Sequence, residues 1–139
     1  MSYKIIGKYI KDLDFKIPNP KTFSLLSKNI SNYKIKIDIK SNQIKDKIVE
    51  VETTLNLESI KSEAEKINTT IVYCAIIELA EKNIDKREME KIILVNVPTK
   101  IYPELRKIFI FLFENSGFKD INISKIVDFQ KLYNNKKNQ

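Results

Sequence analysis

The stretch that most constrains this chain is Ile108–Phe113, IFIFLF, inside the segment Pro98–Gly117. Ile101, Leu105, Ile108 and Leu112 recur at i, i+4, i+7 and i+11, one face of a helix. Phe109 and Phe113 flank that face, while Ile110 and Phe111 lie elsewhere around the axis, so this part of the helix is apolar all round. Such a helix needs cover on more than one side. The run is too short to span a bilayer, which takes ~20 apolar residues. A small domain's own sheet covers one stripe, and the second stripe predicts self-association. Pro103 suits a first helical turn, and Asn115-Ser116-Gly117 supplies the stop, with Gly117 in a left-handed cap.

The remaining composition chiefly excludes. At 139 residues the chain is expected to be a single domain, residues 1–139. It has no histidine and one cysteine, which removes Ser/His and Cys/His catalysis, a zinc set and an internal disulfide. Cys74 lies in an apolar run and reads as a small buried side chain. Two glycines write neither a phosphate loop nor a dinucleotide fingerprint. No enzyme, cofactor or metal is expected. The net charge of +7 would permit nucleic-acid binding, but the lysines are interleaved with Asp and Glu along the whole chain. Solvated faces are the favoured reading, with a basic nucleic-acid-binding module as an alternative. Met1–Lys4 runs straight into an alternating segment, so no signal peptide and no membrane insertion are expected.

In chain order, Tyr3–Ile17 alternates as a strand, with Ile5, Tyr9, Leu13 and Phe15 on one face and Lys8, Asp12, Asp14 and Lys16 on the other. Gly7 marks a bulge. Pro18-Asn19-Pro20 ends the strand, and Lys21–Asn32 reads as a loop carrying Phe23, Leu25, Leu26 and Ile30. Tyr33–Lys40 is a cleanly alternating second strand, Ser41-Asn42-Gln43 a turn, and Ile48–Leu57 the third strand. Ser59–Lys66 reads as a long hairpin connection. Thr69–Ala80, apolar on both faces, is the fourth strand. Asp85–Ile93 forms a short charged helix, and Leu94–Val97 leads into the long one. A tail helix starts near Asp128, a candidate N-cap, and 133–139 is expected to be a flexible tail. The fold class is therefore α+β: a four-stranded antiparallel sheet, with a long helix and a C-terminal helix packed on one face.

Several of these pieces are similar to motifs of the SecB family of protein-export chaperones. Tyr9–Pro20, YIKDLDFKIPNP, resembles the family's first strand and its Tyr-x-Lys-Asp-x-x-Phe-x-x-Pro-Asn signature. Tyr73–Leu79 resembles its Tyr-Ala-Gly-Ile-Phe-x-Ile strand, with Ala75 where Gly is usual and Ile77 where Phe is usual. Pro98–Arg106 resembles its Pro-x-x-Leu-Phe-Pro-x-Ala-Arg helix start. Gly117-Phe118, Ile121, Ile123 and Asp128-Phe129 through Leu132-Tyr133 resemble its connector and tail helix, with Lys119 replacing the connector proline.

That resemblance implies a homotetramer, a dimer of dimers, acting in the cytosol as an ATP-independent holdase. It would bind unfolded precursor proteins, keep them translocation-competent and deliver them to the SecA ATPase. The implied client-binding groove is formed by Phe23, Tyr33, Ile35, Ile37, Phe118, Ile121, Ile123, Phe129, Leu132 and Tyr133; the alternative for each is an ordinary place in the core. The implied oligomer interface takes Ile71, Tyr73, Ile108, Phe109, Phe111 and Leu112. Family members present carboxylates to a basic SecA tail, and Asp12 and Asp14 are the SecA-facing candidates. Lys16 and Thr70 stand where acids are usual, which leaves open an altered partner tail or a dedicated client such as an antitoxin, independent of SecA.

Overall fold

The computed structural model describes residues 2–29, 33–59, 68–118 and 125–137. Strands β1 (Tyr3–Lys16), β2 (Tyr33–Lys45), β3 (Ile48–Ser59) and β4 (Asn68–Leu79) form one antiparallel sheet in the order β1-β4-β3-β2. β1 and β2 are therefore its two edges. Apart from a helix in the first connection, the helices follow the strands, and the long one packs on one sheet face. The α+β expectation is met.

Alternation explains the sheet's two faces. On β4, Thr69, Ile71, Tyr73, Ala75, Ile77 and Leu79 face the helices and are buried. Val49, Val51 and Leu55 do the same on β3. The opposite face carries Glu50, Glu52, Thr54 and Asn56 beside Thr70, Val72, Cys74 and Ile76.

β1 is less regular than its sequence pattern. It shifts register between Ile5 and Gly7, the expected bulge, and again between Ile10 and Asp12. Each extra residue reverses which face the following side chains take. Lys8 thus lies opposite Ala75 on the helix face and Tyr9 opposite Cys74 on the other. This corrects the expected grouping of Tyr9 with Ile5, Leu13 and Phe15, and of Lys8 with Asp12, Asp14 and Lys16.

Two further expectations change. Lys21–Asn32 is not a loop throughout: α1 (Pro20–Asn29) occupies most of it. Asn19 Oδ1 accepts the Thr22 N–H at 2.8 Å, and Pro20 takes the first helical position, so Pro-Asn-Pro both ends the strand and caps a helix. The β2–β3 turn lies at Asp46-Lys47, with Lys47 at φ 66°, and not at Ser41-Asn42-Gln43, which remain in β2. The hairpin connection expected at Ser59–Lys66 falls, from residue 60 on, outside the described residues.

The long helix begins earlier than its sequence implies. α2 (Lys86–Lys91) continues through a π turn at Ile92–Asn96 into α3 (Val97–Glu114), so Leu94–Val97 is helical. Pro98 and Pro103 have no N–H to bond back. The wider turn accommodates the first, with Val97 N–H reaching the Ile92 carbonyl. The stripe that buries on α3 is Ile101, Leu105, Phe109 and Phe113, together with Tyr102. Ile108 and Leu112 sit at its margin, half-buried. Gly117, at φ +98°, ends the helix as expected, and Phe118 N–H returns to the Phe113 carbonyl at 3.0 Å. α4 (Phe129–Lys137) starts after Asp128, whose Oδ1 accepts the Lys131 N–H at 3.0 Å. It is helical through Lys137, where a flexible tail was expected.

Candidate functional site

Ile37, Phe129, Leu132 and Tyr133, four of the expected groove residues, line one open groove of about 250 Å³ between β2 and α4. Asp38, Ile39 and Leu94 complete its wall. Phe129 is buried and packs edge-on against Tyr102 at 6.1 Å, so it forms the floor. Leu132 is 49% exposed and forms the lip. The Tyr133 hydroxyl donates to Glu90 Oε2 at 2.8 Å, which fixes α4 against α2 and raises the phenol pKa above its ordinary value. Ile35 is half-buried against the core, next along β2.

Phe23 and Phe118 lie apart from that groove, stacked on each other at 4.9 Å. Phe118 is buried and continues to Phe113 at 5.5 Å, whereas Phe23 is exposed. Ile121, Ile123 and the Tyr33 side chain fall outside the described residues.

A second groove, of about 360 Å³, continues the first through Ile39 and Leu94. Its walls are Lys40, Ser41, Ile84, Lys86, Met89, Glu90 and Ile93. Sequence reasoning missed this half, because Leu94 reaches the groove through the π turn, and nothing in the run Ile92–Val95 indicates which side each residue takes.

The open face of the sheet is polar and tightly paired. Glu52 is 2% exposed, held by Lys11 and by Lys40 Nζ at 3.2 Å. The Tyr9 hydroxyl donates to Glu50, lowering the carboxyl pKa and raising that of the phenol. The Lys11 hydrogen bond holds Glu52 below the usual carboxylate range. Cys74 lies beneath, buried and outside any disulfide, its thiol pushed up by burial. Glu50, Glu52 and Cys74 converge closely enough to suit a cation, but Lys11 already supplies the positive charge there. Asp12 and Asp14 are exposed on this same face, opposite Val72 and Thr70, and Lys16 follows opposite Asn68.

Of the expected interface residues, Ile71, Tyr73 and Phe109 belong to the chain's own core. The Tyr73 hydroxyl donates to Glu104 Oε2 at 2.5 Å, and burial together with this bond pushes its pKa to about 12. Phe111 points away from that core, 62% exposed. Ile10 and Leu13, both partly exposed, stand on the helix face of the β1 edge. Among the described residues no helix is long and apolar enough to cross a membrane.

Comparison with known proteins agrees with this arrangement. The family model for the preprotein translocase subunit SecB matches residues 1–139. A putative protein-export protein SecB of Pelagibacter ubique is 42% identical, over 99% of this chain and 98% of that one. The protein-export protein SecB of Rhodospirillum rubrum is 30% identical, over 95% of this chain and 80% of its own length. Among solved structures, a SecB-like chaperone of Mycobacterium tuberculosis in complex with a peptide from the HigA1 antitoxin is similar in fold. Its TM-score is 0.67 at 9% identity, covering 91% of this chain and 88% of that one. The chain belongs to the SecB family of protein-export chaperones, a non-enzymatic family.

Proposed function

We propose that the chain is a cytosolic holdase whose client site is the paired groove along β2, and that it passes precursor proteins to SecA. The observation that carries this reading is the channel made by two adjoining grooves, which share Ile39 and Leu94 and expose an apolar row of Leu132, Phe129, Leu94, Met89 and Ile93 between polar walls. A channel of that kind accepts an extended chain, with alternate side chains entering its pockets. Folded proteins have already buried the side chains it takes, so binding removes only non-native chain from solution. No nucleotide is required. Suppression of aggregation of a denatured precursor without ATP tests the reading; failure to suppress overturns it.

The working form is a homotetramer, a dimer of dimers, assembled through Phe111 and the margin residues Ile108 and Leu112 of α3. An exposed phenylalanine beside half-buried apolar neighbours supports this. Asp12 and Asp14 on the open sheet face are the docking point for a basic SecA tail. The second reading is a dedicated client, of the kind seen as a bound antitoxin peptide in the M. tuberculosis chaperone. Lys16, beside Asp12 and Asp14 on that face, favours it by opposing a basic tail. Titration with the SecA tail at low salt separates the two.

A further inference from the structure

We propose that the outer edge of β2 takes a client segment as a fifth strand, selecting segments in which apolar and acidic residues alternate. The inference deepens the holdase reading and rests on it. Both grooves are lined by consecutive β2 residues, Ile37-Asp38-Ile39 and then Ile39-Lys40-Ser41. Successive strand residues point to opposite faces. A groove touching all of them therefore runs along the strand's edge, and not only under its helix face. β2 is last in the sheet order, and among the described residues its only strand partner is β3. The edge from Lys34 to Ser41 offers about 27 Å at ~3.4 Å per residue, of which Ile37–Ser41 lines the grooves.

Charge decides the occupant. On the open face β2 presents Lys34, Lys36 and Lys40, all exposed, and on the helix face Ile35, Ile37 and Ile39. A second copy of β2 would set lysine beside lysine, which disfavours self-pairing. A strand with carboxylates on that side meets the lysines, while its apolar side chains enter the grooves against Leu94, Phe129 and Leu132. Lys40 Nζ already contacts Glu52, yet its side chain is 73% exposed and open to a second carboxylate. Asp38 interrupts the row, so the position beside it takes a neutral or basic residue.

Fluorescence anisotropy with short labelled peptides tests this. An alternating Val/Glu peptide is expected to bind the full chain about tenfold tighter than its Val/Lys counterpart at low salt, with the gap closing as salt rises. N-methylation of the amides facing β2 should weaken binding about tenfold, and methylation of the other edge should not. Substituting Lys34→Glu together with Lys36→Glu should reverse the charge preference. Equal binding of the two peptides, or indifference to N-methylation on the unaltered protein, overturns the proposal. If denatured precursor is still held in that case, only the strand-addition inference falls. If no denatured protein is held at all, the holdase reading falls with it.

Discussion

The Tyr133 hydroxyl donates to Glu90 Oε2 at 2.8 Å, joining the C-terminal helix to the short helix that opens the long one. Tyr133 lines the first groove and Glu90 the second, so the bond ties their walls together. α4 is only nine residues long and buries chiefly Phe129, so one polar tie matters to its position.

Tyr133→Phe should therefore leave the sheet intact and loosen α4. Amide hydrogen exchange is expected to speed up across Phe129–Tyr133 alone. Affinity for denatured client should fall about threefold to fivefold, the effect of losing one ordinary hydrogen bond.

Phe111 and Phe109 are two residues apart in one helix and face opposite ways, one 62% exposed and the other fully buried. Phe111→Asp should preserve the circular dichroism spectrum and lower the assembled mass, because an interface there would bury an unpaired carboxylate. Phe109→Ala should instead destabilise the subunit by about 3–5 kcal/mol through a core cavity. Light scattering and thermal unfolding read the two effects separately.

Gly117 sits at φ +98°, and a Cβ there would lie 3.1 Å from the Phe23 ring. Gly117→Ala should cost about 1 kcal/mol or more from backbone strain, with further loss where Phe23 is displaced from Phe118. Chemical denaturation measures the first loss. The near-ultraviolet signal of the stacked rings reports the second.

Glu50, Glu52 and Glu104 all titrate below the ordinary value of 4.5, held there by hydrogen bonds from Tyr9, Lys11 and Lys8 respectively as the largest cause. The unfolded chain then binds more protons than the folded one in acid, so stability rises with pH through that range. Their contribution is complete above about 4.5 and is lost as pH falls through the folded values. The melting temperature should drop steeply on acidification below that point. Glu52→Gln should lower the neutral-pH melting temperature and flatten the acid limb, as followed by thermal unfolding across pH.

How far the fold was legible depends on what each pattern encodes. β3 and β4 alternate without interruption, and their faces follow from period two alone. β1 shows one bulge through Gly7, but the second, between Ile10 and Asp12, has no glycine to mark it. The first shift turns Tyr9 toward Glu50 and Lys8 toward Glu104, and the second returns Leu13 and Phe15 to the helix face, so one unbroken alternation assigns Tyr9 and Lys8 wrongly. α1 was announced by Asn19 and Pro20, a cap and a first-turn residue, hidden by their equal fitness to end a strand.

By itself the amino-acid order determined the strand content, the greasy helix with its glycine stop, the lack of histidine and the family motifs. These are local matters, set by side-chain period, backbone freedom and residue chemistry. Tertiary structure alone decided which apolar residues became core and which became groove. Phe129 and Leu132 lie on one short helix, yet the first is sealed by Tyr102 while the second stays at the lip. That difference comes from where α4 meets β2 and the π turn, a distance between segments far apart in the chain, which no local pattern encodes.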